Sequence, residues 1–306
     1  MSESARALLL EGRGVLSVAG PDREPFLQGL VSNDVTKADR SHAIWSAFLT
    51  PQGKFLHEFF LLAETGRYLL DCEAARLDDL KTRLSRFRLR SKVELTNASD
   101  AFAVGAAFGE RALAALGLPE QRGAAKSLGG GCVFVDPRLT QLGARLLLPA
   151  ATAQKILAEL GLKAATTEDY DSLRLSLGVP DGSRDLEVEK ATLMESGFDE
   201  LNGISWDKGC YMGQELTARM RYRGLAKKRL LPVEIEGETP PPGAAILRDG
   251  QEVGTLRSAA GGKGLALLRL EAVAGPEARP LTAQSARLRV RRPAWLRLPE
   301  PAARPS

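Results

Sequence analysis

Residues 43–87 read AIWSAFLTPQGKFLHEFFLLAETGRYLLDCEAARLDDLKTRLSRF, and two hydrophobic patterns follow one another in this stretch. Short apolar runs that end in turn residues predict strands over 43–49, 55–63 and 67–72. Pro51-Gln52-Gly53 predicts the tight turn of a hairpin between the first two strands. From residue 75 to residue 87, apolar residues recur at intervals of three and four, which predicts an amphipathic helix.

The same order of strands and helices extends in both directions from this stretch. Upstream, the residues predict a strand over 8–18 that is broken by Gly12 and Gly14, and a short helix over 25–30. A closing strand over 93–96 follows the amphipathic helix. Downstream the order repeats, with strands predicted over 102–108, 131–135 and 142–148 and helices over 110–116 and 151–160. Two successive units of this kind predict paired ferredoxin-like α/β subdomains with antiparallel sheets.

The pattern changes near residue 229, where turn residues separate short strand-like runs. These runs lie at 244–247, 253–257, 265–270 and 286–290, a spacing typical of a small β-barrel or sandwich. The expected fold class is α+β, with two ferredoxin-like α/β subdomains and a C-terminal small β-barrel. The expected domains are residues 1–97, residues 98–228 with a cysteine motif, and residues 229–297, followed by a flexible tail at 298–306.

Composition and charge exclude several classes of protein. The chain has 306 residues, of which 44% are hydrophobic and 26% charged, and these values exclude wholesale disorder and collagen-like sequences. Its 42 Lys and Arg against 38 Asp and Glu give a net charge of +4, too small to indicate a polyanion partner by itself. The 3 cysteines lack a CxxC motif and do not suit a disulfide framework, and no apolar stretch is long enough to span a bilayer. Because the N-terminal residues do not resemble a secretory signal, we expect a cytoplasmic protein.

Residues 202–219 read NGISWDKGCYMGQELTAR and hold the least ordinary chemistry of the chain. Gly209 and Gly213 lie on either side of Cys210, and good helix formers follow, so Cys210 is expected on a turn just before a helix N-terminus. The helix dipole, the free N–H groups and the nearby Lys208 ammonium favour a thiolate. The alternative is a buried cysteine that acts as a small hydrophobe. We favour the reactive thiolate because glycines and charged residues, rather than apolar ones, surround Cys210.

The other cysteines and the basic residues carry weaker signals. Cys72 ends an apolar strand and Cys132 lies within one, so both are expected in the core. Basic residues cluster at 86–92, 219–229 and 287–292, and alternation in the first and third clusters predicts arginines on one face of an extended segment. These clusters are either a solvated face or a groove for a polyanion such as a polyglutamylated cofactor or RNA. Few aromatic residues lie among them, which weakens the prediction of a surface that stacks RNA bases.

The octapeptide KGCYMGQE at 208–215 resembles the signature of the YgfZ family. Members of this family are folate-binding relatives of the glycine-cleavage aminomethyltransferase (T-protein) and are implicated in iron–sulfur protein maturation. Further similar segments, close to the family's mitochondrial assembly-factor branch, are GVPDG at 178–182, RDL at 184–186, LNGIS at 201–205 and AR at 218–219. Upstream, the similar segments are VAGPD at 18–22, FLQGL at 26–30, SNDV at 32–35 and PQGK at 51–54.

This resemblance implies a three-lobed ring of two ferredoxin-like units and a β-barrel around a folate channel bordered by Cys210. It implies that tetrahydrofolate and iron–sulfur assembly proteins are partners, and that client iron–sulfur enzymes, including tRNA-modifying ones, depend on the protein. Cys210 would be a transient iron–sulfur ligand or a redox thiol, which Lys208 keeps ionised. The candidate folate contacts are Tyr170, Arg174, Tyr211, Gln214, Glu215 and Arg223.

Two departures from the T-protein pattern leave alternative functions open. T-proteins carry a pterin-binding Glu where this chain has Ser176, and a hydroxyl cannot replace a bidentate carboxylate. Where T-proteins place a catalytic Asp, this chain has the pair His57-Glu58. One alternative is a tetrahydrofolate-dependent aminomethyltransferase with Glu58 as the acid–base group. A second alternative is a non-enzymatic RNA-binding module that works through the basic clusters.

Overall fold

The computed structural model describes residues 5–273 and 281–298. The described residues form two compact units. The first unit takes residues from the ranges Met1–Pro51, Leu56–Thr167 and Asn202–Met212. The second unit takes residues from the ranges Gln52–Phe55, Glu168–Leu201 and Gly213–Ser306.

The first unit contains two sheets and four short to medium helices in its described residues. Its strands are β1 (Arg6–Leu9), β2 (Arg13–Ala19), β3 (Ile44–Leu49), β4 (Phe55–Glu64), β5 (Arg67–Glu73), β6 (Glu94–Asn97), β7 (Phe102–Phe108), β8 (Ala125–Leu128), β9 (Gly131–Val135), β10 (Ala144–Pro149) and β11 (Lys163–Ala164). Its helices are α1 (Arg23–Gln28), α2 (Leu77–Phe87), α3 (Ala112–Ala115) and α4 (Ala153–Glu159). Single 3-10 turns lie at Val35–Lys37, Ala74–Arg76 and Thr140–Leu142.

The two sheets of the first unit are mostly antiparallel. One has the strand order β3-β4-β5-β2-β6, and the other has the order β11-β1-β7-β10-β9-β8, in which the short pair β1–β11 is parallel. Helix α2 buries Leu77, Leu80 and Leu84, carries Asp78 and Asp79 in its first turn, and ends with Arg86 in its last. These charges complement the helix dipole, so both periodicity and end charges favour the helix that the sequence predicts.

The predicted strand over 8–18, broken by Gly12 and Gly14, is divided at Gly12 into two strands that belong to different sheets. Strand β1 pairs with β7 and β11, whereas β2 pairs with β5 and β6. The backbone N–H of Arg13 donates to the carbonyl of Leu10 at 3.0 Å and closes a tight turn between the two strands. Gly12 marks this turn in the sequence, but hydrophobicity is alike on both sides of it, so the pattern of residues does not reveal the change of sheet.

The second unit contains helices followed by a closed barrel. Its helices are α5 (Thr167–Leu177), α6 (Gly182–Asp185), α7 (Gln214–Arg223) and α8 (Leu270–Val273). Its strands are β12 (Lys228–Glu236), β13 (Ala245–Arg248), β14 (Gln251–Ala260), β15 (Lys263–Arg269), β16 (Leu281–Ala283) and β17 (Ala286–Val290), closed in the order β12-β15-β14-β13-β16-β17. Leu231, Ile246 and Leu256 belong to its apolar core.

The structure confirms the predicted α+β class and the C-terminal barrel. It also confirms the hairpin around residues 51–53 and the strands that flank it. The domain boundaries at 97, 228 and 297 stay predictions, and the predicted flexible tail lies outside the described residues after Leu298. Within the described residues, no helix is both long and apolar enough to cross a bilayer.

Candidate functional site

Cys210 is solvent-exposed in an irregular segment of the first unit. An added Cβ at the neighbouring Gly209 would have no atom within 4 Å, so the backbone beside the thiol is also open. Along the chain, α7 begins at Gln214 as predicted, and Gly213 precedes it with a φ of 80°, a conformation that favours glycine. The alternative of a buried Cys210 is therefore wrong, and the thiol is accessible to a reagent or a metal.

The cysteine segment, defined here as residues 202–212, is fastened to residues 29–33 by hydrogen bonds between distant parts of the chain. Four of these bonds run from Met212 N to Gly29 O (3.1 Å), from Ser205 N to Ser32 O (3.0 Å), from Ser32 Oγ to Gly203 O (2.7 Å) and from Asn33 Nδ2 to Asn202 O (2.8 Å). Because the bonds begin and end on both sides of Cys210, the exposed thiol is carried on a backbone held at several points.

Lys208 lies two residues before Cys210 but directs its ammonium group into the protein. Its Nζ donates to the backbone carbonyls of Val31 at 2.7 Å and Asn33 at 2.8 Å, and it lies 5.3 Å from the ring centroid of Tyr211. Burial lowers the pKa of Lys208 to about 8, and the negative charge of Asp34 acts in the opposite direction. Lys208 thus fixes the cysteine segment to residues 31–33, and its predicted role of keeping Cys210 ionised stays a prediction.

Asn33 connects the cysteine segment to strand β3. Its side-chain amide donates to the carbonyl of Trp45 as well as to that of Asn202, both at 2.8 Å. Its backbone N–H donates to the hydroxyl of Ser46 at 2.9 Å. In the sequence, Ser32 and Asn33 stand out only as part of the SNDV segment at 32–35 that carries the family resemblance. They are two consecutive polar residues directly after the apolar Leu30-Val31, and polar groups that become buried need hydrogen-bond partners.

A buried ion cluster, which no sequence motif indicates, connects the two sheets of the first unit. It consists of Arg13, Glu58, Asp71 and Arg145, so two positive charges balance two negative ones. The contacts are Arg13 Nη1 to Glu58 Oε1 (2.6 Å), Arg13 Nε to Asp71 Oδ1 (2.6 Å) and Arg145 Nε to Asp71 Oδ2 (2.8 Å). Charged side chains can be buried when they pair with good geometry, because the pairing offsets the free-energy cost of removing them from water.

Glu58, the candidate acid–base residue of the transferase alternative, is fully committed to this cluster. One carboxylate oxygen accepts from Arg13, the other accepts from the indole N–H of Trp45, and the residue is only 2% exposed. The adjacent His57 is also buried, and its Nε2 lies 2.9 Å from Asp79 Oδ2. Burial, helped by the charge of Arg76, lowers the pKa of His57 to about 4, so the ring is neutral at physiological pH.

The predicted folate contacts fall into different environments. Tyr170 and Arg174 are buried on α5, and Tyr211 is buried in the cysteine segment. Gln214 is half-buried at the start of α7, while Glu215 and Arg223 are exposed on that helix. The accessible polar groups among these candidates are therefore those of α7.

Arg174 belongs to an ion cluster within the second unit. Its guanidinium donates to Asp171 Oδ1 at 2.6 Å, to Asp185 Oδ2 at 2.7 Å and to the hydroxyl of Ser258 at 3.2 Å. The carboxylate of Asp185 also accepts the backbone N–H of Asp181 at 2.9 Å. Arg174 thus joins α5, α6 and β14, and with 2% exposure it has little donor surface left for a ligand.

The other two cysteines differ from Cys210. Cys72 is buried, which confirms the expectation of a core residue, and Cys132 is half-buried beside an apolar cluster. Burial raises the pKa of both thiols to about 12, so both are protonated at neutral pH. In the part of the chain that the structure describes, no group of three or more His, Cys, Asp or Glu residues is arranged to hold a metal ion.

The basic clusters do not share one structure. The predicted extended segment at 86–90 is wrong, because Arg86 and Phe87 end α2 and a turn follows. Near the C-terminus the prediction is confirmed, since β17 exposes Arg287 and Arg289 and buries the intervening Leu288. In the second cluster α7 carries three arginines, whereas the neighbouring Arg229 is buried.

Known proteins resemble this chain in sequence and in fold. Residues 227–298 match the family model described as the CAF17 C-terminal beta-barrel domain. The chain is 36% identical over 291 residues to the mitochondrial iron–sulfur cluster assembly factor IBA57 of Homo sapiens, covering 87% of this chain and 78% of that protein. The mouse IBA57 protein is 33% identical over 296 residues, with the same shares covered, 87% and 78%.

The fold is similar to that of glycine cleavage system aminomethyltransferase T from Bartonella henselae, with a TM-score of 0.79. The sequence identity is 15%, and the match covers 96% of this chain and 87% of that one, so it shows a T-protein-like fold. The expected cytoplasmic location is contradicted, because the IBA57 relatives are named mitochondrial. On the identity and coverage of these relatives, the chain belongs to the IBA57 family of iron–sulfur cluster assembly factors, the mitochondrial branch of the YgfZ family.

Proposed function

We propose that the protein is a folate-binding factor that assembles, matures or repairs iron–sulfur clusters of client proteins through the thiolate of Cys210. The observation that supports this most is the combination of an exposed thiol with an anchored backbone in the cysteine segment. An exposed thiol on a mobile loop would react without selectivity, whereas an anchored thiol presents one geometry to an incoming protein.

Cys210 supplies a single soft ligand, so the cluster is cargo and not a resident cofactor. Thiolates are the usual ligands of iron–sulfur clusters, which take three or four of them. In the described residues, no group of three or more His, Cys, Asp or Glu residues is arranged to complete such a set. The remaining ligands then come from the protein that delivers the cluster or from the client that receives it, and Cys210 bridges the exchange or carries out thiol redox exchange.

Tetrahydrofolate binding is the finer part of the proposal and rests on the family resemblance. Ser176 is exposed and its hydroxyl donates to the carbonyl of Leu173, so it offers no substitute for a pterin-binding carboxylate. Arg174 is engaged by aspartates, which leaves Gln214, Glu215 and Arg223 of α7 as the accessible polar candidates. A bound reduced folate would supply one-carbon or reducing chemistry, and α7 would hold its polar groups.

The aminomethyltransferase alternative is favoured by the fold but opposed by the position of Glu58. A general acid–base residue has to reach the proton that it transfers. One oxygen of Glu58 already accepts a hydrogen bond from Arg13 and the other from Trp45, and the residue is only 2% exposed, so its carboxylate is poorly placed to meet a substrate. We therefore expect no steady-state turnover when the protein is mixed with tetrahydrofolate and an aminomethyl-lipoyl carrier, and sustained ammonia release would restore this alternative.

Replacement of Cys210 tests the proposal in cells. Cys210→Ser should abolish maturation of an aconitase-type [4Fe–4S] enzyme and of tRNA-modifying iron–sulfur enzymes, measured as client activity at equal protein level. Cys132→Ser is the matched control, because this half-buried thiol is protonated at neutral pH and should be dispensable. Full client activity with Cys210→Ser would remove the thiol from the mechanism.

A further inference from the structure

The arginine loop, defined as residues 86–92, is strongly basic and exposed. It reads RFRLRSK and contains four cationic side chains and no acidic one. Arg86, Arg88, Arg90 and Lys92 are all exposed. In the described residues of the chain none of these four side chains forms an ion pair. Positive charge that is unmatched within the molecule is available to an acidic surface of another molecule.

Leu89 projects from the centre of this loop. It is 89% exposed, the most exposed large hydrophobic side chain among the described residues. Its φ is 43°, in the left-handed region that costs conformational free energy for a residue with a Cβ. Leu89 directly follows Arg88, the C-cap of α2, where a left-handed residue ends many helices but is usually glycine. An exposed leucine in this conformation is therefore an outlier, and such outliers are concentrated at functional positions.

The loop is ordered even though its side chains face solvent. Arg88 N donates to Ser85 O at 3.2 Å, Ser91 N donates to Arg88 O at 2.7 Å, and Lys92 N donates to Asp22 Oδ2 at 2.7 Å. Phe87 packs edge-on against Phe48, with ring centroids 6.1 Å apart. Leu89 is therefore presented in one position by a prearranged backbone, which reduces the entropy lost on binding.

We propose that the arginine loop docks a partner protein whose acidic surface surrounds an apolar pocket for Leu89. This inference rests on the proposed function, because an assembly factor has to meet the proteins that deliver or receive clusters. A loop of this size is small beside the 20–30 residues that a stable interface contributes per side, so the contact is a transient one. An apolar anchor inside a polar rim is the arrangement that concentrates binding energy in few residues.

Other partners fit the loop less well. Single-stranded RNA needs free aromatic faces for base stacking, and the single aromatic residue of the loop, Phe87, already packs against Phe48. Stable attachment to a membrane needs more than one inserted apolar group, and Leu89 is the single apolar side chain of the loop that is more than half exposed. An apolar pocket with a negatively charged rim on a partner protein is the remaining kind of surface that would contact both the leucine and the cations.

Leu89→Gly separates docking from folding. Glycine removes the apolar side chain and relieves the left-handed strain, so we expect an unchanged or higher melting temperature together with weaker docking. In cells that lack the native gene, Leu89→Gly and the triple variant Arg86→Glu, Arg88→Glu, Arg90→Glu should lower aconitase activity at least fivefold at low expression. High expression should restore it, because concentration offsets weak docking. Leu225→Asp, which alters an exposed leucine outside the loop, should match the unaltered protein.

A photoreactive benzophenone side chain at position 89 identifies what docks. We expect the full chain to form an adduct with an iron–sulfur protein. The adduct should be lost in the Arg-to-Glu background, and it should return when acidic residues of the captured protein are changed to lysine. Four results would each overturn the inference. They are full activity of Leu89→Gly, an adduct that still forms in the Arg-to-Glu background, an adduct that is sensitive to nuclease, and no adduct. Cys210→Ser should stay inactive at every expression level, so failure of the proposed function is distinguished from failure of docking.

Discussion

The ammonium nitrogen of Lys208 lies 2.8 Å from the backbone carbonyl oxygen of Asn33, a residue 175 positions away in the sequence. The same nitrogen bonds the carbonyl of Val31 at 2.7 Å. A charged donor shared by two carbonyls is stronger than an ordinary amide contact, and its burial makes the loss of either partner costly. The buried Lys208 therefore holds the cysteine segment, which carries the exposed Cys210, against residues 31–33 of the first unit.

Lys208→Met should destabilise the protein and loosen the cysteine segment. Methionine preserves much of the apolar stem but leaves two buried carbonyls without a donor, which is worth about 2–3 kcal/mol of unfolding free energy. Denaturant unfolding measures this loss, and hydrogen exchange at Ser205 and Met212 should become faster. Lys190→Met is the matched control, because Lys190 is exposed and forms only a surface pair with Glu187. Equal stability and equal exchange for Lys208→Met would show that the lysine does not fasten the segment.

Alkylation should distinguish Cys210 from the other cysteines. Iodoacetamide at neutral pH reacts with thiolates, and burial raises the pKa of Cys72 and Cys132 to about 12. We expect mass spectrometry to find label on Cys210 alone in the native protein and on all 3 cysteines after denaturation. The Cys210→Ala variant should remain unlabelled when folded. Native labelling of Cys132 at a rate similar to that of Cys210 would contradict the described burial.

His57 should make the protein less stable in mild acid. Burial holds the folded-state pKa near 4, against 6.5 for the unfolded chain, so the unfolded state binds the proton more tightly between these values. Stability is therefore full above 6.5 and declines as the pH falls toward 4, by about 2 kcal/mol at about pH 5. Urea unfolding at both ends of this range measures the decline. His57→Phe, which keeps a ring beside Phe48, should flatten it, and an unchanged slope would mean that another group titrates.

Arg174→Ala should lower the free energy of unfolding, and this loss of stability is its main expected effect rather than a loss of ligand binding. Removing the guanidinium leaves Asp171 and Asp185 buried without their shared cation, a change that costs about 3–5 kcal/mol. Thermal unfolding should show the loss, whereas Arg223→Ala on the exposed end of α7 should leave stability nearly unchanged and weaken tetrahydrofolate binding. A well-folded Arg174→Ala protein that has lost folate affinity would instead establish Arg174 as a ligand contact.

Local patterns in the sequence predicted the elements whose partners are near in the chain. The leucines of α2 and the hairpin around residues 51–53 fall where their periodicity and turn residues put them. Gly12 indicated the break within the strand over 8–18, but not that its two halves pair with β7 and β5, because long-range pairing leaves no mark on the residues themselves. Strands β8 and β16 were missed because each is short and weakly apolar.

In the candidate site too, the sequence predicted the features that depend on neighbouring residues and not those that depend on residues far apart in the chain. The glycines and charges around Cys210 correctly predicted an accessible thiol. The sequence placed Lys208 beside that thiol, but its hydrogen-bond partners are backbone carbonyls, which every residue possesses and no motif can reveal. Similarly, Arg13, Glu58, Asp71 and Arg145 look like unrelated surface charges until the fold brings them together.

Anaerobic reconstitution with iron and sulfide tests the Cys210 mechanism most directly, with protein-bound iron, sulfide and folate quantified in the same sample. We predict that the unaltered protein, mixed with a delivery protein that supplies the remaining ligands, holds iron and sulfide in that complex and passes them to an apo-aconitase. The Cys210→Ala variant should bind the same amount of folate but retain no iron and transfer none. Equal iron retention and equal transfer by the two proteins would contradict a role for the Cys210 thiol.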